Sequence, residues 1–132
     1  MSLIGKRRGR PTTRTQFDSI LKKFIVFAKR DLRINSEIKI ILIDDADFAK
    51  EKRAFGMMKD QIIYVSIINR HPIDILRTLS HELVHYKQRI EGKLMNGTVG
   101  SSVENQANAK AGEIMRKYGH LHPELFDLMP IR

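Results

Sequence analysis

The sequence predicts an α+β domain, with helices towards both ends and a small sheet between them. Segments 13–33, 72–91 and 103–118 repeat apolar residues at helical spacing, and β-branched stretches cluster between residues 37 and 68. No internal repeat or second core interrupts this order. At 132 residues the chain has the length of one domain and can bury a modest core.

In the first segment Phe17, Ile20, Leu21, Phe24, Ile25, Phe27 and Ala28 recur at helical spacing, with Lys22, Lys23, Lys29 and Arg30 on other faces. Glu37 to Asp45 alternates and then runs apolar, as a mostly buried strand does, and Asp44, Asp45 and Asp47 end it. Ala54 to Ile68 reads as a short strand, a turn at Lys59 and Asp60, and a longer strand from Gln61. Gly56 marks the short strand as an edge or a bulge. Together these give a three-stranded, mainly antiparallel sheet.

Pro72 suits a first helical position, Asp74 complements the helix dipole, and Gly92 stops a helix that runs to about Glu91. Its core-facing stripe is Ile75, Leu79, Leu83, Tyr86 and Ile90. Gly92, Gly97 and Gly100 make a loop, and Ser101 or Ser102 can cap a last helix from Val103 to about Tyr118. From Gly119 the chain reads as an irregular tail with Pro123 and Pro130.

Composition narrows the chemistry. The absence of Cys excludes disulfide scaffolds, Cys-based zinc ribbons and thiol catalysis, so any metal must be held by His, Asp or Glu. The formal charge is +9, yet five basic residues, Lys6, Arg7, Arg8, Arg10 and Arg14, lie in the first sixteen positions with no acidic residue among them. The body therefore carries a surplus of only four. Residues 1–15 read as a basic flexible tail and 16–132 as the folded domain. Pro11 to Thr15 follow where a secretory signal needs an apolar stretch, and no apolar run approaches the roughly 18 residues of a membrane span. The expectation is a cytoplasmic protein without a membrane partner.

On the helix from Pro72 lies His81-Glu82-Leu83-Val84-His85. Residues four apart sit one turn apart on one face, so both imidazoles can reach one Zn²⁺ while Glu82 stays beside the ion to act on its water. This composition would produce H-E-x-x-H by chance about 0.01 times per chain. A catalytic zinc needs a third protein ligand. A His-x-x-Gly-x-x-His continuation is absent, since Gln88 and Glu91 occupy the positions needed. Glu104 is the better choice, because it opens a helix after a Gly-rich turn and lets two antiparallel helices face each other across the ion. His120 and His122 remain the alternative ligands.

HELVH followed by Glu104-Asn105-Gln106-Ala107-Asn108 resembles the zincin metallopeptidases of the glutamate-ligand (gluzincin) type. The run ENQANAKA is similar to the E-x-x-A-N-x-x-A signature of the ImmA/IrrE group. The small chain also resembles HExxH proteins of phage and prophage genomes and, more distantly, SprT-like and WLM proteases that act on DNA-bound proteins. The resemblance covers about residues 37 to 118. It implies a zincin-like fold and zinc-dependent hydrolysis of peptide bonds, with Glu82 as general base and His81, His85 and Glu104 as ligands. Asn108 stands where some relatives carry Asp; it can hydrogen-bond a ligand His without adding charge. No motif places an oxyanion donor, which leaves Tyr64, Tyr118, His120 and His122 as candidates.

Such an enzyme would bind its peptide or protein substrate in extended form along an exposed strand, either 54–58 or 61–68. In the tail, Arg8-Gly9-Arg10-Pro11 matches the core of AT-hook peptides, whose arginines enter the narrow minor groove of A·T-rich DNA. A generic phosphate-binding or solubilising tail fits these residues as well. If the chain is viral, the host cytoplasm or nucleoid is the expected location. The rival reading is a DNA-associated or viral structural or binding protein that keeps the zinc fold without turnover. An intact Glu82 argues against it, because a scaffold needs the ligands but not the base.

Overall fold

The computed structural model describes residues 9–92 and 102–132. The fold begins with α1 (Arg14–Leu32), entered through a capping box: Thr13 Oγ1 accepts from the Gln16 amide at 3.0 Å, and Gln16 Oε1 accepts from the Thr13 amide at 2.8 Å. Just before it, buried Thr12 forms a parallel bridge with Ile131. The packed domain thus takes in residues 12–15, counted with the tail in the sequence. Arg14 lies in the first turn of α1 and pairs with Asp18 at 3.4 Å. Phe17, Phe24, Ala28 and Leu32 are the buried positions of the helix.

Three strands follow, β1 (Lys39–Ile43), β2 (Gly56–Lys59) and β3 (Ile62–Ser66), in the spatial order β1-β3-β2. β2 and β3 form the expected antiparallel hairpin, but β1 pairs parallel to β3, Lys39 opposite Ile62 through Ile43 opposite Ser66. The sheet is therefore mixed rather than mainly antiparallel. Its central strand is β3, which buries Ile63 and Val65; β1 is an edge with no fully buried residue, although its apolar run suggested a mostly buried strand. The hairpin turn is Asp60-Gln61, one residue later than expected, and both have positive φ (52° and 64°), as a two-residue type I′ connection requires. A further helix, α2 (Ala46–Lys52), not among the expected elements, lies between β1 and β2, and Asp45 caps it by accepting from the Asp47 amide at 2.9 Å.

α3 (Pro72–Ile90) runs under the sheet and packs on α4 (Ser102–Leu121), with α1 against both. His71 caps α3 by accepting from the Ile73 amide at Nδ1 (3.0 Å), so its Nε2–H donates to the Leu128 carbonyl at 2.8 Å. Ile75, Leu76, Leu79, Leu83 and Tyr86 are buried, whereas Ile90, expected on the same stripe, is 54% exposed at the helix end. α4 continues through Gly119 to Leu121, and a 3₁₀ turn (Pro123–Asp127) follows in place of an irregular tail. Gly119 is not a stop but a close approach: a Cβ there would lie 3.3 Å from the Phe126 ring. Lys110 and Lys117 of α4 reach Asp31 of α1 at 3.3 and 2.9 Å, fixing the angle at which α4 presents its N-terminal turns. No helix among the described residues is long and apolar enough to cross a membrane.

Candidate metal centre

The α3–α4 contact brings three ligand atoms to one point. His81 and His85 are one turn apart on α3, with Nε2 atoms 3.1 Å from each other. Glu104, in the first turn of α4, places Oε1 2.9 Å from His81 Nε2 and Oε2 3.2 Å from His85 Nε2. Ligand atoms arranged tetrahedrally at 2.0 to 2.1 Å from an ion stand about 3.3 Å apart. The two imidazole nitrogens and the nearer carboxylate oxygen of each pair stand close to that, and one ligand atom from each residue lies within 4.8 Å of the others, so the three side chains could hold one small divalent ion. Among the described residues His81, His85 and Glu104 are the group able to hold a metal.

Each histidine has a partner that orients it. His85 Nδ1–H donates to Gln88 Oε1 at 2.9 Å, which leaves the Nε2 lone pair facing Glu104 and His81. Gln88 is itself buried and held, its amide donating to the Val103 carbonyl at 3.1 Å and to Gln106 Oε1 at 3.4 Å. It thus links His85 to the start of α4. Gln88 is not among the residues expected at the site, although its position three residues after His85 places it on the same helical face. Asn108, one turn after Glu104, hydrogen-bonds the His81 side chain as expected. Burial, joined by the neighbouring His85, holds the His81 pKa below its ordinary value against the opposing pull of Glu104 and Asn108. His81 is therefore kept in the neutral form that can ligate.

Glu82 lies beside this set, 9% exposed. Burial pushes its carboxyl up to about 7; His85 opposes that rise and Glu104 adds to it. The strand β2 closes over it at Gly56, where a Cβ would stand 2.6 Å from Thr78 Cγ2 and 3.5 Å from Glu82 Oε2. Glycine is needed here for the close approach of the edge strand to the Thr78 side chain of α3, which also brings the strand into ordinary contact with the Glu82 carboxylate.

The remaining candidates lie elsewhere. Tyr64 alternates with the buried Ile63 and Val65 on β3 and so projects from the opposite face of the sheet. Tyr118 packs its ring on Phe24 and Phe27 of α1 at 4.9 and 5.0 Å. His120 is sixteen residues beyond Glu104 on the same helix, about 24 Å along its axis. His122 stacks on Tyr118 at 4.5 Å and pairs with Glu124 at 3.1 Å. The fold thus brings Glu104, and neither C-terminal histidine, to His81 and His85. Arg10 is exposed, while Lys6, Arg7, Arg8 and the Gly97–Gly100 loop lie outside the described residues.

Replacing Gln88 with Ala should lower metal affinity by about 10- to 100-fold, because the His85 ring loses the acceptor that sets its tautomer. A chelator competition titration of the two proteins reads this directly, and equal affinities would show that Gln88 does not orient the ligand. The chain matches no family model, no curated protein and no solved structure.

Proposed function

We propose that the chain is a zinc-dependent metallopeptidase of the gluzincin kind, with His81, His85 and Glu104 as ligands and Glu82 as general base. The observation that carries the reading is the convergence of those three ligand atoms beside a buried carboxylate that does not itself join them. Two imidazole nitrogens and one carboxylate oxygen make the donor set of catalytic zinc, which keeps a fourth position open. When bound there, zinc supplies Lewis acidity.

The chain's own residues supply the rest. A carboxyl that titrates near 7 can accept a proton from the attacking water and deliver it to the departing amine, which a carboxylate of ordinary acidity does less well. Gln88 and Asn108 keep both imidazoles in register through the cycle. An extended peptide can add to the free edge of β2, since β3 is interior and Gly56 puts that edge against Glu82. Of the two strands left open by the sequence, β2 is thus the better substrate edge. The sequence resemblance to zincins supports the same assignment, and the basic tail would hold the enzyme near DNA and its bound proteins.

The test is proteolysis of an unfolded protein and of DNA-bound proteins, with and without DNA. Glu82→Ala should retain zinc and lose at least about 100-fold in cleavage rate. Equal cleavage by the variant would remove Glu82 from the mechanism, and zinc binding without cleavage in the wild type would favour the scaffold reading.

A further inference from the structure

The groove between α3 and α4 does not end at the metal ligands. One turn before His81 on α3 is Arg77, and one turn after Asn108 on α4 is Gly112; both line a cavity of about 570 Å³ that extends away from the ligand set. Its walls are largely apolar, from Ile73, Met115, Leu125 and Phe126, with Tyr118 and His120 at the far end of α4, and its permanent charges are the guanidinium groups of Arg77 and Arg116. No acidic side chain is among its lining residues. Arg77 is engaged with Asp74 at 2.8 Å, whereas Arg116 has no hydrogen-bond or ion-pair partner among the described residues.

Gly112 is the second observation. It sits inside a 20-residue helix, where glycine is unfavourable, and no neighbouring backbone requires it. The nearest atom to a Cβ built there is Arg116 Nη1 at 3.6 Å. The glycine therefore keeps space open rather than permitting close packing, and the Arg116 side chain folds back over that space towards the ligand end of the helix. Beyond it, Leu121 and Phe126 are 61% and 62% exposed, so apolar surface continues past the arginines instead of closing behind them.

We propose that this cavity takes a large apolar side chain of the peptide substrate and that Arg116, with Arg77 beside it, binds an acidic side chain next to it. The inference rests on the metallopeptidase reading for the identity of its occupant. Gly112 is two helical turns, about 12 Å, from Glu104, and Arg116 Nη1 lies against it, so an extended chain held at the metal ligands reaches the cavity mouth in about three or four residues. Because the apolar surface runs on past the arginines, the carboxylate is that of an internal Asp or Glu rather than of a chain end.

The test uses N-acetylated, C-amidated peptides containing Leu-Glu or Leu-Gln in an otherwise Gly/Ser sequence, titrated into zinc-loaded Glu82→Gln protein and followed by NMR. The Leu-Glu peptide should bind about 10-fold more tightly, as one charge-assisted hydrogen bond allows, and should shift the Gly112 and Gly119 amides. Arg116→Ala should abolish the preference, so that the variant binds Leu-Glu and Leu-Gln equally, and Arg116→Lys should keep part of it. Gly112→Ala should raise the melting temperature yet weaken both peptides, an effect that a structural glycine would not give. Equal binding of the two peptides, or a preference that survives Arg116→Ala, overturns the proposal. If wild type cleaves neither peptide but the preference holds, the hydrolytic reading fails and the cavity assignment stands. Cleavage without a preference for Leu-Glu sinks the cavity assignment alone.

Discussion

Glu82→Gln is expected to make the metal-free protein more stable at pH 8, by up to about 3 kcal/mol, and by less than about 1 kcal/mol at pH 5. The carboxyl titrates at about 7 in the fold against an ordinary 4.5, chiefly because burial penalises the charged form. Below pH 4.5 it is protonated whether folded or unfolded, and its charge costs nothing. Between 4.5 and 7 the unfolded chain releases the proton first, so stability falls as pH rises, and above 7 the full cost is present. Glutamine has nearly the same shape and no charge, so it removes this cost. Groups away from the site titrate alike in both proteins, so the difference between their urea-unfolding curves reports Glu82 together with its coupling to His85 and Glu104. A difference that stays constant from pH 5 to pH 8 would show that Glu82 is not held in a desolvated position. The same substitution removes the proton acceptor, so the more stable protein should be the inactive one, as expected where a site stores a strained or desolvated group.

Glu104→Ala should lower zinc affinity by about 100-fold or more while the domain stays folded. Glu104 spans the two histidines, one oxygen to each, and no other carboxylate or imidazole among the described residues joins the group. Its side chain is partly exposed, and α3 and α4 are held together independently of it by Ser80 against Met115, by Gln88 on Val103 and Gln106, and by a shared buried core. Loss of metal should therefore occur without loss of helical signal. His120→Ala and His122→Ala should keep wild-type affinity, because both histidines sit at the far end of α4. Chelator competition across the four proteins separates the two ligand sets; an unaffected Glu104→Ala protein would remove Glu104 from the site.

The parts of this site that are local in sequence were legible there. His81, Glu82 and His85 follow from a four-residue spacing on a helix whose start is marked by Pro72 and Asp74, and structure and spacing agree. Glu104 needed one further inference, that two helices joined by a glycine-rich turn face each other. What the sequence left hidden depends on partners distant along the chain. The apolar run of β1 suits a central strand by composition, but β3 lies between β1 and β2 in the sheet, so β1 is left at an edge with no fully buried residue. The turn at Asp60-Gln61 carries no glycine or asparagine to advertise its positive φ. Gly119 reads as a helix stop until the Phe126 ring is seen against it. Gln88 reads as a missing glycine, although its amide is what holds His85.

The central claim is that His81, His85 and Glu104 hold one zinc ion used in peptide hydrolysis, and the most direct measurement is metal stoichiometry with activity on the same sample. Purified protein should contain one zinc per chain, lose both zinc and peptidase activity on exhaustive chelation, and recover both together when one equivalent of zinc is returned. Protein that takes up no zinc, or that cleaves equally well after the metal has been removed, would contradict it.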